Sequence, residues 1–406
     1  MIKKILHTSD WHLGRKLKNR ERHEEFIKFL TWLEDTIKSE NIETLLIAGD
    51  IFDSTTPGIK AQDIYYSFLS SLAKSNVCRH VIIISGNHDS PAFLDAPKDL
   101  LKLFKIHVIG KARENPEDEV LILNDNDGKP ELIVCAVPYL RDSDVRTLSA
   151  SDDFDNADSS LINGIKNHYG KVFAHAAGLK LKNPDVPVIA MGHLFAKGGK
   201  INDGDGVRAL YVGTAVEVGT EIFPEFLTYT ALGHLHSPQK ISRDNIRYSG
   251  APLVMDFGEA GHKKAVNVLE LENENLINIK EIPVPVFQRI ERIKGGLDEI
   301  FSELDSFASS KESTWLDITY TGSESAGGLQ EKIEEHIKNF PELEVLCIRD
   351  ENKNQSEFFN PESSKNIDSF TPVEMFELRM DKDKIPDRQR KVFSSMYQEI
   401  LWGLQT

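Results

Sequence analysis

The chain has 406 residues, of which 40% are hydrophobic, and this is enough for two or three domains with packed cores. Its formal net charge of -16 at pH 7 excludes a protein that binds nucleic acid over its whole surface through basic residues. No run of about 18 or more apolar residues occurs, so we expect no membrane-spanning helix.

The cysteines and the N-terminal residues favour a cytoplasmic protein. Cys78, Cys135 and Cys347 are far apart in the sequence and odd in number, which is typical of small buried residues in a reducing compartment. The N-terminal residues lack the long apolar stretch and the small-residue cleavage site of a signal peptide. We therefore expect the protein to stay in the cytoplasm.

Residues 1–280 alternate strand and helix patterns, which predicts a layered α/β domain. The predicted strands are Ile2–His7, Thr44–Ala48, Val81–Ser85, Leu132–Val137, Val186–Met191, Leu227–Leu232 and Val266–Leu271. The predicted helices are an amphipathic one with Phe26, Phe29, Leu30, Leu33 and Ile37 on one face, one over Ile64–Leu72, and one over Leu161–Leu181. The acidic, serine-rich Ser149–Ser160 stretch is predicted to be an exposed loop.

The pattern changes after residue 280, and residues 281–349 are predicted to form a small α+β capping domain. Its predicted elements are strands Val286–Ile293, Trp315–Tyr320 and Leu343–Ile348 and helices Leu297–Phe307 and Leu329–Ile337. Residues 350–370 are polar and are predicted to be a linker. Residues 371–406 are predicted to form two C-terminal helices, the first of which begins with a capping box at Thr371–Glu374.

Metal-binding residue types follow five of the predicted strands. They are Asp10, His12, Asp50, Asn87, His193, His234 and His236. Because sites gather at the carboxyl ends of strands in layered α/β folds, we expect these side chains to converge on one place. Carboxylates, an amide oxygen and imidazoles, without a cysteine pair, suit Mn²⁺ or Fe²⁺ better than structural zinc. The two oxygens of Asp50 can contact two metal ions, and two ions about 3.5–4 Å apart can clamp a phosphodiester and activate a water.

The ordered motifs D-x-H, G-D-x-x-D, G-N-H-D, G-H and G-H-x-H resemble those of the calcineurin-like metallophosphoesterases, over roughly residues 1–270. The resemblance implies an α/β fold, a four-layer α/β/β/α sandwich, and two divalent metal ions. It implies that Asp10, His12, Asp50 and His236 hold one ion, and that Asp50, Asn87, His193 and His234 hold the other.

The same resemblance assigns a catalytic role to His88, which follows the ligand Asn87. It implies that His88 is an acid that stabilises charge on the scissile phosphate or the leaving oxygen. Asp53, three residues past Asp50, is a candidate to orient and charge His88. Some nuclease relatives have histidine at the position of Asp53, which leaves its role open.

Longer strings resemble the SbcD-type nucleases within this superfamily. They are Thr8–Arg15, Ala48–Asp53, Ser85–Ser90, Ala231–His236, Tyr248–Pro252, Phe257–Glu259 and Thr371–Met380. This resemblance implies a manganese-dependent exonuclease and endonuclease that acts on double-stranded DNA ends and hairpins. It also implies a heterotetramer in which two nuclease subunits bind two SbcC-type ATPase subunits, with work in DNA repair, recombination and replication.

Two groups of residues are candidates for binding DNA and the ATPase partner. The basic residues beside the first motif are Arg15, Lys16, Lys18 and Arg20, which contact phosphates or form a solvated approach to a helix. The apolar tail residues Phe376, Met380 and Phe393 bind the partner or pack on their own domain. The apolar faces of the first two helices are candidate dimer surfaces, although core packing explains them equally well.

Two other functions remain alternatives at this point. One is an enzyme of the same superfamily that acts on cyclic nucleotides or phosphoproteins, which the length beyond residue 280 and the tail helices disfavour. The other is a non-catalytic scaffold that binds DNA ends and the ATPase, which the complete ligand set with His88 disfavours.

Overall fold

The computed structural model describes residues 2–75, 77–145, 157–200, 217–322 and 328–351, and single helical residues between 373 and 398. In these residues the strands are β1 (Ile2–Thr8), β2 (Thr44–Ala48), β3 (His80–Ile84), β4 (Ile106–Ile109), β5 (Val120–Asn124), β6 (Pro130–Ala136), β7 (Val188–His193), β8 (Tyr229–Gly233), β9 (Gln239–Ile241), β10 (Arg243–Tyr248), β11 (Ala265–Glu272), β12 (Asn275–Pro283), β13 (Arg289–Gly295), β14 (Thr314–Tyr320) and β15 (Leu343–Asp350). The α-helices are α1 (His23–Glu40), α2 (Ile59–Ser75), α3 (Pro91–Asp95), α4 (Lys98–Lys102), α5 (Asp142–Val145), α6 (Ala157–Lys182), α7 (Leu297–Ser309) and α8 (Leu329–Ile337).

The first sheet has the strand order β12-β11-β1-β2-β3-β4. Strands β1 to β4 run parallel, β11 pairs antiparallel with β1, and β12 pairs antiparallel with β11 at the edge of the sheet. Parallel strands are covered on both faces, which explains why β2 is apolar and buried throughout. Leu45 and Ile47 pack with α1 and α2, whereas Leu46 and Ala48 face the second sheet.

The second sheet has the strand order β5-β6-β7-β8-β10-β9, with β6, β7, β8 and β10 parallel. Its inner face packs on the first sheet through residues such as Ile189 and Tyr229. Its outer face packs on α6 through Tyr169, Val172 and Phe173. The layers therefore run helices, sheet, sheet, helix, which confirms the predicted α/β/β/α sandwich.

The helices α1 and α2 bury the apolar faces that the sequence offered as dimer surfaces. The buried residues of α1 include Phe26, Phe29 and Leu33, and those of α2 include Ile64 and Phe68. α1 is capped at its C-terminus by Asn41, which has a left-handed backbone and whose N–H donates to carbonyl oxygens of the last turn of the helix. Core packing accounts for both faces.

A third sheet, β13-β14-β15, is parallel and carries α7 and α8 between its strands. This module therefore alternates strand and helix, and its core contains Ile300, Leu316 and Ile333. Its position differs slightly from the predicted capping domain of residues 281–349, because strand β12 of the first sheet continues past residue 280 to Pro283 and β15 of the module ends at Asp350.

The capping module contacts the sandwich through a small apolar cluster. Leu17 and Phe257 from the loops of the sandwich pack with Ile290 and Trp315 of the module. Arg20 forms an ion pair of 3.0 Å with Glu344 across the same contact. The loop that carries the predicted basic residues is thereby held against the module.

The described residues between 373 and 398 are helical. The ring of Phe376 stacks on that of Tyr397, with centroids 4.0 Å apart, and Arg390 donates to the carbonyl oxygen of Met380 at 3.4 Å. Most of the predicted linker of residues 350–370, the capping box at Thr371 and most of the predicted Ser149–Ser160 loop lie outside the described residues. No helix in the described part of the chain has the length and apolar character needed to span a membrane.

Candidate metal centre

The sequence-predicted ligands meet at one end of the sandwich. Asp10, Asp50 and Asn87 follow β1, β2 and β3 of the first sheet, while His193 ends β7 and His234 follows β8 of the second sheet. All seven predicted ligands, which include His12 and His236, are buried. The parallel strands of both sheets end at this place, which is why residues far apart in sequence come together.

The backbone at these strand ends adopts unusual conformations. Asp10, His12 and Asp50 have φ values of 53°, 49° and 50°, and His234 has a φ of 105°. Positive φ is uncommon for residues other than glycine and concentrates at functional sites. Asp10 N–H donates to the carbonyl of Gly49 at 2.9 Å and His12 N–H to that of Asp50 at 3.0 Å, which stabilises the conformation.

Glycines in the motifs give the ligands room. A Cβ on Gly86 would lie 2.1 Å from Oδ1 of Asp50, and one on Gly233 would lie 1.9 Å from the carbonyl oxygen of Ala48. Both distances are far below van der Waals contact. Only glycine therefore allows the two ligand loops to approach each other this closely.

The first group of ligands contains Asp10, His12 and His236, whose candidate ligand atoms lie within 4.8 Å of one another. The Nε2 atoms of His12 and His236 are 3.1 Å apart. Oδ1 of Asp10 accepts a hydrogen bond of 2.9 Å from the backbone N–H of His234, and Ser9 donates to its other oxygen. This group corresponds to the set that the sequence predicted for one ion, apart from the shared Asp50.

The second group centres on Asn87. Its Oδ1 lies 3.0 Å from Nε2 of His193 and 3.0 Å from Nδ1 of His234. Oδ2 of Asp50 lies 3.4 Å from Nε2 of His193 and 3.6 Å from Nε2 of His12, which belongs to the first group. Asp50 thus stands between the two groups, in the position that a shared ligand requires.

The protonation of two histidines, His12 and His234, suits metal binding, whereas His193 holds a proton. Burial lowers the pKa of His12 and that of His234 to about 3, so both imidazoles are neutral at pH 7. Burial acts to lower the pKa of His193 as well, but the attraction of the Asp50 carboxylate overcomes this and raises it to about 9. Burial acts to raise the pKa of Asp50, but attraction to His193 and His88 holds it well below its usual range.

The donor set fits divalent metal ions. Two imidazoles whose Nε2 atoms face each other at 3.1 Å beside buried carboxylates form an arrangement that a cation stabilises. Carboxylate, amide and imidazole donors without thiolates are the ligands of Mn²⁺ and Fe²⁺. Metal ions would be bound by the residues of the two groups described above.

Asp53 and His88 lie at the edge of the centre, with an arrangement that differs from the expected one. The Asp53 carboxylate lies 3.6 Å from Nδ1 of His12 and accepts a hydrogen bond of 3.1 Å from Arg15. The backbone carbonyl of Asp53, not its carboxylate, accepts from Nδ1 of His88 at 3.0 Å. The His88 backbone N–H donates to Oδ1 of Asp50 at 2.9 Å. Burial acts to raise the pKa of Asp53, but contact with His12 and attraction to Arg15 together outweigh it and lower the pKa to about 2.

Two buried carboxylates support the ligand loops, and sequence reasoning assigned no role to either. Asp89 accepts hydrogen bonds from the backbone N–H groups of Ile51 (3.1 Å), Phe52 (2.9 Å) and Gly86 (2.8 Å). It therefore connects the loop of Asp50 to the loop of Asn87. The sequence offered only the position of Asp89 in the G-N-H-D motif as a signal.

The second supporting carboxylate is Glu259, which is fully buried. It accepts hydrogen bonds from Nδ1 of His236 at 3.2 Å, from Nζ of Lys264 at 2.6 Å and from the backbone N–H of Met255 at 3.0 Å. Burial acts to raise the pKa of Glu259, but His236 and Lys264 hold it far below its usual range. The signal for Glu259 in the sequence was its place in Phe257–Glu259, one of the strings that resemble SbcD-type nucleases.

Of the residues predicted to bind DNA, Arg15 is connected to the metal centre through Asp53. Arg15 is directed inward and donates to Asp53 and to the carbonyl oxygen of Met255. The other three basic residues, Lys16, Lys18 and Arg20, are exposed. Of the predicted partner-binding residues, Met380 is buried, Phe376 is partly buried and Phe393 is 40% exposed.

Residues 3–238 match the family model described as calcineurin-like phosphoesterase. Residues 286–384 match the model SbcD_C, which is described as type 5 capsule protein repressor C-terminal domain. The first match covers every predicted metal ligand, and the second covers the capping module and the start of the tail helices.

The chain is similar to bacterial proteins described as the SbcD subunit of the nuclease SbcCD. It is 30% identical to that of Escherichia coli strain K12 over 404 residues, which are 99% of this chain and 98% of the relative. It is 31% identical to that of Rhodobacter capsulatus over 75% of this chain and 76% of the relative. It is 32% identical to that of Bacillus subtilis strain 168 over 78% of each chain.

Proposed function

The chain belongs to the calcineurin-like phosphoesterase family, and on that premise we propose that it is a metal-dependent DNA nuclease subunit. It cuts phosphodiester bonds as an exonuclease at double-stranded ends and as an endonuclease in hairpins and single strands, in DNA repair, recombination and replication. The observation that carries the proposal is the convergence of seven buried ligand-type side chains from five strand ends on one place. The relatives described as SbcD subunits of the nuclease SbcCD support a nucleic acid as the substrate.

We propose two divalent ions, manganese in the cell. Asp10, His12, Asp50 and His236 would hold one, and Asp50, Asn87, His193 and His234 the other. Two such ions neutralise the charge of a phosphodiester and lower the pKa of water for in-line attack. The position of Oδ2 of Asp50, 3.6 Å from His12 and 3.4 Å from His193, supports a shared ligand.

His88 is proposed as the acid that assists the leaving oxygen. Because a carbonyl oxygen can only accept, Nδ1 of His88 carries the proton in its contact with the carbonyl of Asp53. The hydrogen bond from its backbone to Asp50 keeps the ring next to the shared carboxylate. A protonated imidazole then has its second proton on Nε2 to donate.

The DNA is proposed to approach along the loop held between the sandwich and the capping module. Lys16, Lys18 and Arg20 are exposed on this loop, and a phosphate could compete with the exposed partners Glu21 and Glu344 for two of them. Contacts of this kind are independent of sequence and weaken with salt. We propose Arg15 as a support of Asp53 and not as a DNA contact, since its guanidinium is committed to Asp53 and Met255.

The assembly is proposed to be a heterotetramer in which two of these chains bind two SbcC-type ATPase subunits, in the cytoplasm. The tail helices are the proposed binding site for the ATPase subunit, since Phe393 remains exposed while Met380 is buried.

Two copies of the chain would pair through the apolar residues of α4 and the turn after it, Leu100, Leu103 and Phe104, which are 61%, 78% and 54% exposed. A shift from dimer to monomer in Leu103→Glu, measured by sedimentation, would support this surface, and an unchanged dimer would exclude it.

The nuclease proposal is tested with end-labelled linear duplex DNA and the purified full-length chain. Digestion is followed with Mn²⁺, Mg²⁺ or a chelator, with and without an SbcC-type partner and ATP, and with Asp50→Asn in parallel. We expect metal-dependent cutting that Asp50→Asn abolishes. If the wild-type protein binds metal but leaves DNA intact under every condition, the DNA substrate is wrong and small phosphodiesters are the next class to test.

A further inference from the structure

Glu259 and Lys264 form a buried ion pair behind the metal centre, outside the ligand set. Nζ of Lys264 lies 2.6 Å from one oxygen of Glu259, and both side chains are buried, at 6% and 0% exposed. The other oxygen of Glu259 contacts Nδ1 of His236 at 3.2 Å. Lys264 also donates to the backbone carbonyl of His236 at 3.2 Å. The pair thus contacts one proposed ligand at both its ring and its backbone.

The contact with Glu259 fixes which nitrogen of His236 carries the proton. An ionised carboxylate can only accept, so Nδ1 of His236 must donate to it, and the neutral ring then keeps its lone pair on Nε2. That Nε2 faces Nε2 of His12 at 3.1 Å, where a metal ligand must present a lone pair. A histidine that ligates a metal commonly donates its other N–H to a carboxylate in this way.

Lys264 explains how a carboxylate can be ionised at this depth. An isolated buried charge is strongly unfavourable, and Asp10 and Asp50 add negative charge to the same centre. The lysine balances the charge of Glu259, and the N–H of Met255 donates to the same carboxylate. On the other side, Arg15 and Asp53 stand in a similar relation to Nδ1 of His12.

We propose that Glu259 and Lys264 are positioning residues that hold His236 in the orientation and tautomer needed to bind the metal. This inference rests on the proposed metal centre but not on the DNA substrate. Its test therefore measures metal binding by calorimetry, with Mn²⁺ alone and the full-length protein, and the digestion assay remains a separate question.

The variant Glu259→Gln removes the charge, and Glu119→Gln is the matched control. Glu119 is also fully buried and also accepts from a histidine, His168, at 2.9 Å, but that histidine is not a proposed ligand. We expect Glu259→Gln to weaken Mn²⁺ binding by about 10- to 100-fold, the range typical of carboxylates behind ligating histidines. Glu119→Gln should leave Mn²⁺ affinity at the wild-type value.

A second variant separates positioning from folding. Glu259→Gln combined with Lys264→Met removes both charges together and so avoids leaving a buried lysine unpaired. It should show the same loss of Mn²⁺ affinity. If a folded variant of either kind binds Mn²⁺ as tightly as the wild type, the pair only anchors its loop and the inference is overturned.

Discussion

The Asp89 carboxylate connects the two ligand loops, and the variant Asp89→Asn tests how much this connection stabilises the protein. The carboxylate accepts from Ile51 and Gly86 through Oδ2 and from Phe52 through Oδ1. An asparagine oxygen can keep the two bonds of Oδ2, but its NH₂ group then faces the N–H of Phe52. Losing one hydrogen bond to a charged acceptor costs about 1.5–3 kcal/mol, and the buried N–H left without an acceptor costs about 1–3 kcal/mol more.

Asparagine also removes a buried charge that Asp50 repels, which offsets part of this cost. We therefore expect Asp89→Asn to lower the free energy of unfolding by about 1–3 kcal/mol. Burial, followed by repulsion from Asp50, raises the pKa of Asp89 to about 6, so the measurement belongs at pH 8, where the carboxyl is ionised. Urea unfolding in the presence of a chelator measures the effect on the protein alone. Mn²⁺ calorimetry on the same variant should show weaker binding, because Asp50 and Asn87 lie on the two loops that Asp89 connects.

Asp125→Asn is the matched control for this experiment. Oδ1 of Asp125 accepts from the backbone N–H groups of Asp127 and Lys129, each at 2.9 Å, in an exposed turn. Water can replace those bonds, so the change should have a small effect. If Asp89→Asn unfolds at the same urea concentration as Asp125→Asn, the reasoning about the loop connection is refuted.

The other predictions concern the chemistry of the centre and its surroundings. His88→Gln should reduce kcat by about 10²- to 10⁴-fold while Mn²⁺ affinity is retained, and a loss of Mn²⁺ binding would instead make His88 a ligand. Lys18→Ser should weaken DNA binding and lower the salt dependence of that binding by about one phosphate contact. Arg15→Met should weaken Mn²⁺ binding and leave the salt dependence of DNA binding unchanged. The opposite result for the two variants would exchange the roles of Lys18 and Arg15. His193, with its pKa raised to about 9, must lose a proton to bind metal. Calorimetry at pH 7.5 in buffers of different ionisation enthalpy should detect the release of about one proton when Mn²⁺ binds. The Mn²⁺ affinity should rise with pH up to about 9, and an affinity independent of pH would contradict the assignment of His193 as a ligand.

The buried parallel strands could be predicted closely from the sequence. Thr44–Ala48 has the predicted bounds, because a strand buried on both faces is a continuous apolar run that ends at a glycine and a polar residue. Two strands that lack such an apolar run could not be predicted in this way. The edge strand Asn275–Pro283 is mostly exposed, and Arg243–Tyr248, which lies between β8 and β9, is mostly polar, so both form through pairing with neighbouring strands.

The ligand set was visible in the sequence because strand ends in one layered fold converge, but its supports were not. The partners of Asp89 are backbone N–H groups, which are present at every position and mark no residue type. Glu259 follows β10 in the sequence, and its contact with His236 forms only when the chain folds back to the metal centre after that strand. The direction of Arg15, inward to Asp53, likewise depends on tertiary contacts that a basic run does not reveal.

The origin of the ligands in both sheets has a consequence for the lifetime of the protein. Asp10, Asp50 and Asn87 come from the first sheet and His193 and His234 from the second, so bound ions would join two layers that also meet through apolar packing and polar contacts such as the Arg79–Glu131 ion pair. Ligands that bind only the folded state stabilise it by mass action, by about 2.7 kcal/mol at one hundred times the Kd. A change of this size in the free energy of unfolding alters the fraction of chains that are unfolded and accessible to proteases. Metal scarcity should therefore lower the abundance of this protein in the cell as well as its turnover of substrate.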